Sequence, residues 1–221
     1  MTGEGWDRWA PELWQATLET LAIVGIAGVV TVLLGLPLGV ALSVTGPGGL
    51  TPSRTVSRVL GAVVDIGRSI PFIILMIAIV PFTRLVVGTT IGSSAAAVPL
   101  TVAAIPFFAR LVEAALREVS PGVVDAGASM GASRRQLIVK VLVPEALPSI
   151  VAGLTVTVVA MIGYTAMAGA VGGGGLGELA VSYGYHRFET GVTWVTVAIL
   201  VVVVKAVQTA GDLCARRLSH R

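Results

Sequence analysis

Apolar residues arrive in long runs without charge, and the polar residues fall between them. Charge-free stretches cover Thr20–Ser53, Ser69–Thr83, Leu85–Ala109, Ala146–Gly177 and Thr190–Val204. A helix needs about 20 predominantly apolar residues to cross the hydrocarbon core of a bilayer. Three of the runs suffice unaided, whereas Ser69–Thr83 and Thr190–Val204 must carry a charged residue at one end to span. An open sheet would leave backbone groups unsatisfied in lipid, so the pattern predicts helices. It predicts five, near residues 19–44, 60–83, 89–115, 147–170 and 190–212, which makes the chain an all-α integral membrane protein.

The long polar interval is Asp125–Pro148, which carries Arg134, Arg135 and Lys140 and two prolines, Pro144 and Pro148, with Glu145 between them. Its first part has helical spacing interrupted by Gly127 and Gly131. Ser133 is placed to cap a helix that begins at Arg134. Ala126, Gly127, Ala128, Gly131 and Ala132 give this segment little side-chain bulk, so that another protein could approach its backbone closely. A solvated connector is the alternative reading.

The helices themselves carry sparse chemistry. In the first, Gly25 and Gly28 lie a turn apart and Gly35 and Gly39 have the small-xxx-small spacing, which serves internal packing or a subunit interface. The segment Thr45–Gly49 ends it. In the second, Asp65 and Arg68 share a face and are expected to pair, with Pro71 one turn on. Arg68 is also a candidate for lining a translocation path, since intramembrane charge pairs up or faces a wet interior. Pro81–Arg84 is expected to close this helix. In the third, Pro99 and Pro106 predict a kink, and Arg110, Glu113 and Arg117 form a ladder expected to be solvated. The fourth ends in a glycine run in which Gly172, Gly174 and Gly177 satisfy G-x-G-x-x-G, but an apolar helix precedes them where the nucleotide fingerprint requires a strand. Such a run marks flexible or tightly packed backbone. Tyr164, Thr165 and Met167 either line a path here or merely pack. In the fifth, Lys205, Gln208 and Asp212 share a face in a structural role, with Lys205 reaching toward the cytoplasm.

Composition sharpens this picture. The chain is 55% hydrophobic and 12% charged, against about 25% charged for soluble domains. Its net charge of +3 is a matter of topology. Nine cations, among them Arg54, Arg58, Arg117, Arg134, Arg135 and Lys140, fall on one side, and three (Arg8, Arg84 and Arg187) on the other. The positive-inside rule puts the first set in the cytoplasm, with the N-terminus outside, the C-terminus inside and the 117–146 loop cytoplasmic. Nucleic acid is not an expected partner. Residues 1–16, with Trp6, Trp9 and Trp14 among acidic residues, read as a short helix on the outer surface. Cys214 cannot form an internal disulfide and reads as a small apolar filler. His186 and His220 lie on opposite sides in this topology, so no histidine base serves a nucleophile. There is no HExxH pair, no thiolate metal site and no Walker-type loop. The chain reads as a non-enzyme without a cofactor of its own.

The intervals in the polar loop resemble a known signature. Transmembrane subunits of ABC importers carry E-A-A-x-x-x-G-x9-I-x-L-P. Asp125, Ala126 and Gly127 stand at its first three positions, Gly131 at its glycine, Val141 and Val143 at its aliphatics and Pro144 at its proline. The departures are Asp for Glu, Gly for the second Ala, and Val at both aliphatic positions. Further stretches, including Arg68–Leu75, Pro106–Arg110, Val143–Pro148 and Gly163–Met167, resemble the methionine-uptake branch. The resemblance implies a type I importer transmembrane domain over residues 17–208, followed by a basic tail at 209–221. It implies that Asp125, Ala126, Gly127, Gly131, Arg134, Leu137 and Pro144 belong to a coupling loop that docks on an ATPase. It further implies a homodimer in the lipid of the bacterial plasma (inner) membrane, two ATPase subunits that bind ATP and Mg, and an external, lipid-anchored methionine-binding protein. The implied activity is uptake of L- or D-methionine by alternating access. A permease for another amino acid, a phosphonate or a quaternary amine, and a stand-alone secondary carrier, are the alternatives.

Overall fold

A computed structural model describes residues 4–219, with side chains from Trp9 onward. The side chain of Trp6 and the tail residues His220 and Arg221, which entered the sequence reading, lie outside the described residues. The described chain is helical throughout: α1 Glu4–Thr45, α2 Arg54–Ser69, α3 Phe72–Ala78, α4 Val80–Val87, α5 Ser93–Arg117, α6 Pro121–Ser129, α7 Arg134–Gln136, α8 Val143–Gly169, α9 Gly175–Leu179 and α10 Thr190–Leu218. Wider π-helical turns at Leu137–Leu142 and Ala180–His186 precede α8 and follow α9. Among the described residues, four helical runs are long and apolar enough to cross a membrane, or five if α2 and α3 count as one broken span.

Three expectations about the elements need correction. The second span is not one helix over 60–83. It breaks at Ser69–Pro71, where α2 and α3 meet at 102°. Pro71 explains the break, because the residue before a proline is pushed out of the α region and the proline itself starts a helix well. Pro81 likewise sits in the first turn of α4 and opens that helix, which ends at Gly88 in the left-handed region (φ 77°). The N-terminal segment is not a separate surface helix, since α1 runs unbroken through 42 residues. At about 1.5 Å per residue it is about twice as long as the hydrocarbon core is thick. Finally, the fourth span begins earlier than 147. An unbroken helical run extends from Arg134 to Gly169. Its widened turn sits just before Pro144, which has no N–H for the Lys140 carbonyl and whose ring would press on it in a regular α-helix.

The chain forms two compact units. In the first (Met1–Val30, Ile70–Ala104, Val158–Val207), Ile23 and Ala27 of α1, Phe72 and Met76 of α3, Leu100 of α5 and Met161 of α8 share one core. The Phe72 and Tyr164 rings stack at 4.8 Å. In the second (Thr31–Ser69, Ile105–Thr157, Gln208–Arg221), Phe108, Val112 and Leu116 of α5 pack with Val44, Leu142 and Ile150, and a smaller cluster joins Leu42, Val64 and Ala109. Glycine makes this second core possible. A Cβ at Gly39 would stand 2.6 Å from the Ala109 carbonyl oxygen, and one at Gly35 3.0 Å from Phe108 Cδ1. The small-residue face at 35–39 therefore serves packing within the chain. Gly25 and Gly28 meet nothing within 4 Å. Cys214 is exposed.

Candidate coupling and transport sites

Helix α6 and the turn after it make the predicted docking loop a defined object. Pro121 occupies the first turn of α6, where its missing N–H costs nothing. The helix ends in a Schellman turn: the Ala132 N–H donates to the Gly127 carbonyl (3.2 Å) and the Gly131 N–H to that of Ala128 (2.9 Å). This geometry requires a left-handed residue, and Gly131 has φ 81°. The signature glycine is thus a backbone requirement. The chain restarts at a capping box, as expected for Ser133. Its Oγ accepts from the Gln136 N–H (3.4 Å), and its own N–H donates to Gln136 Oε1 (2.8 Å).

Of the predicted coupling residues, Asp125, Ala126, Gly131, Arg134 and Pro144 are exposed. Gly127 is half-buried, and a Cβ there would stand 2.8 Å from Leu137 Cδ2. Leu137 itself is buried. It supports the loop from beneath and offers no side chain to a partner. The residue that sequence reasoning missed is Met130, the last before Gly131, which is 88% exposed. A large apolar side chain at the tip of a small-residue loop is a natural anchor for a protein groove.

A second correction concerns the charges of the second unit. Asp65 does not pair with Arg68. Its Oδ1 accepts from Arg110 Nη2 at 2.8 Å and Nε at 3.2 Å, which joins α2 to α5. Arg110 and Arg117 both also pair with Glu113. The ladder is present, but its centre is not solvated: the Glu113 side chain is 4% exposed. Two arginines neutralise one buried carboxylate, which satisfies the rule that buried charge must be paired.

In the first unit the glycine run after α8 proves tightly packed. Three successive N–H groups are taken up by side chains: Gly174 donates to Glu178 Oε2 (2.8 Å), Gly175 to Glu19 Oε2 (3.0 Å) and Leu176 to Thr20 Oγ1 (2.9 Å). Gly174 and Gly175 have φ near 75°, and Cβ atoms there would stand 2.5 Å from Ser93 Oγ and Thr20 Oγ1 respectively. Glu19 and Thr20 were invisible to the sequence reading because their partners lie 156 residues away.

The predicted path-lining residues differ in burial. Thr165 is buried and its hydroxyl donates to the Ile162 carbonyl of its own helix (2.7 Å). Tyr164 is half-buried against Phe72. Met167 is 49% exposed. Arg68 is exposed and belongs to the second unit, whereas the other three belong to the first.

Comparison with known proteins agrees with this architecture. Residues 35–220 match the family described as binding-protein-dependent transport system inner membrane component. A probable D-methionine transport system permease protein of Vibrio cholerae is 54% identical over 206 residues, covering 93% of this chain and 92% of that protein. The methionine import system permease protein of Bacillus subtilis is 45% identical over 210 residues, covering 95% of each. A solved structure of the MetNI methionine ABC transporter in an inward-facing conformation contains a chain that aligns over the full length of both with a TM-score of 0.95 at 44% identity. The chain belongs to the family of binding-protein-dependent transport system inner membrane components, and is a multi-pass membrane permease subunit of type I importer fold.

Proposed function

We propose that this chain forms the translocation pathway of an ATP-driven importer for methionine. The observation that carries this reading is the near full-length similarity to methionine permeases, together with a docking loop whose signature glycine is demanded by its backbone. The working assembly is a homodimer of this chain with two ATPase subunits, in which ATP and Mg are bound by the ATPases. A lipid-anchored external protein delivers the substrate. The N-terminus lies outside and the C-terminus inside, so the α6 loop meets the ATPase in the cytoplasm.

The chain itself moves no covalent bond. Nucleotide binding closes the ATPase pair, and the rigid α6 turn carries that motion to the spans. A ligand shifts a conformational equilibrium only through differential affinity for the two states, so the loop binds the ATPase differently when the pathway faces out and when it faces in. Exposed Asp125, Arg134 and Met130 supply the contacts, and Gly131 lets the backbone come close. The reading is tested by radiolabelled methionine uptake in a transport-deficient host. Expression with the ATPase and binding protein should restore uptake, and omission of the ATPase should abolish it. Uptake without the ATPase would instead make the chain a stand-alone carrier.

A further inference from the structure

The first unit holds a half-enclosed cavity of about 180 Å³ lined by Met76, Val80, Thr83, Ala96, Pro99 and Gly173, among others. Its walls are mostly apolar, from α3, α4, the start of α5 and the glycine turn that follows α8. Thr83 is 4% exposed. Of the other buried helix threonines, Thr20, Thr157 and Thr196 each donate to a carbonyl four residues back and Thr165 to one three residues back, while Thr31 Oγ1 is buried without a partner and lies outside the cavity lining. Among the described residues no hydrogen bond engages the Thr83 hydroxyl, and that residue lines the cavity.

We propose that this cavity is a transient subsite for the thioether side chain of the transported methionine. The assignment rests on the methionine reading above and adds where the side chain sits. Size permits it: an apolar cavity of about 150 Å³ holds benzene, and the methionine side chain has fewer heavy atoms. Chemistry selects it. A water needs two to four polar partners to be held, and this wall offers few. A charged side chain would be desolvated without a counterion. A thioether is apolar along its length, accepts one weak hydrogen bond, and suits a wall containing another methionine. Thr83 is the donor and Met76 the polarisable neighbour. The cavity floor is held in place by the Gly92 N–H, which donates to the Gly172 carbonyl at 2.8 Å.

The test uses the complete transporter in proteoliposomes and the diazirine analogue of methionine as photoprobe, with methionine uptake and ATP hydrolysis measured on the same samples. On irradiation during turnover, the label should fall on residues 76–99 or 171–173, which line the cavity, and excess unlabelled methionine should remove it. Ala96→Leu fills the cavity and should lower both labelling and methionine uptake. Thr83→Val changes shape little, so it covers the case in which Ala96→Leu fails to assemble. It should raise the methionine concentration needed to suppress labelling roughly twofold to tenfold, about the worth of one hydrogen bond to the thioether. Labelling elsewhere in the chain, no label on these segments, or protection by methionine that Thr83→Val leaves unaltered would overturn the subsite while wild-type methionine uptake leaves the importer reading standing. A wild-type transporter that imports no methionine would overturn both.

Discussion

Replacing Gly131 by arginine should abolish methionine uptake while the protein still folds and inserts. The reasons lie in two features of the α6 turn. Gly131 occupies the left-handed position of the Schellman turn (φ 81°), where any residue with a Cβ costs roughly 1–2 kcal/mol. Yet a Cβ at this glycine meets nothing within 4 Å, so the chain itself has room for a longer side chain. The obstruction arises only when another protein closes on the loop. Loss of a central interface contact of about 2 kcal/mol corresponds to roughly thirtyfold weaker docking. Uptake should fall by about that factor or more, with ATP hydrolysis no longer stimulated by substrate. Gly131→Ala separates the two effects, since it adds the strain without the bulk and should retain much of the uptake. Membrane content and gel-filtration profile should match the wild type for both variants. Wild-type uptake by Gly131→Arg would contradict the docking assignment.

The second large effect is on stability. Glu113→Ala should destabilise the chain because it removes the buried carboxylate that Arg110 and Arg117 share, leaving Arg117 without its partner and Arg110 with Asp65 alone. Breaking a buried ion pair from one side costs about 3–5 kcal/mol. The lower end applies here, since Arg117 is 57% exposed and water screens part of the loss. For a chain of this size, about 3 kcal/mol lowers the melting temperature by roughly 6–12 °C. Thermal unfolding in detergent, followed by loss of the monodisperse gel-filtration peak, reads this directly. Asp65→Asn is the control. Asp65 is 60% exposed and pairs at the rim of the network, so its effect should stay within about 1 kcal/mol. Equal destabilisation by the two variants would show that Glu113 is not the centre of the network.

What could be read in the sequence was what is local. The capping box at Ser133 and Gln136 spans four residues, and its chemistry is complete within them. The turn after α6, proposed to dock on the ATPase, was marked out by its intervals, although the reason for its glycine, a left-handed residue, needed the backbone. Leu137 fell on the motif but turned inward, because the half-buried Gly127 leaves a space that it fills. Asp65 was misassigned to Arg68 because Arg68 is three residues away on the same helix, while the true partner is 45 residues away on α5. The break at Pro71 had a legible signal. An apolar run continued past it, however, and hydropathy does not sense a change of direction. Glu19 and Thr20 carried no signal, since a run of backbone N–H groups in need of acceptors does not appear in a sequence.

The central claim is that this chain conducts methionine only when a docked ATPase drives it. Its most direct test is methionine accumulation in proteoliposomes that contain this permease, its ATPase and its binding protein, with ATP supplied on the ATPase side. Accumulation against a gradient is expected with ATP and Mg, none with a non-hydrolysable analogue, and none with Gly131→Arg. Accumulation that proceeds without ATP, or ATP-driven transport of another solute with methionine excluded, would contradict it.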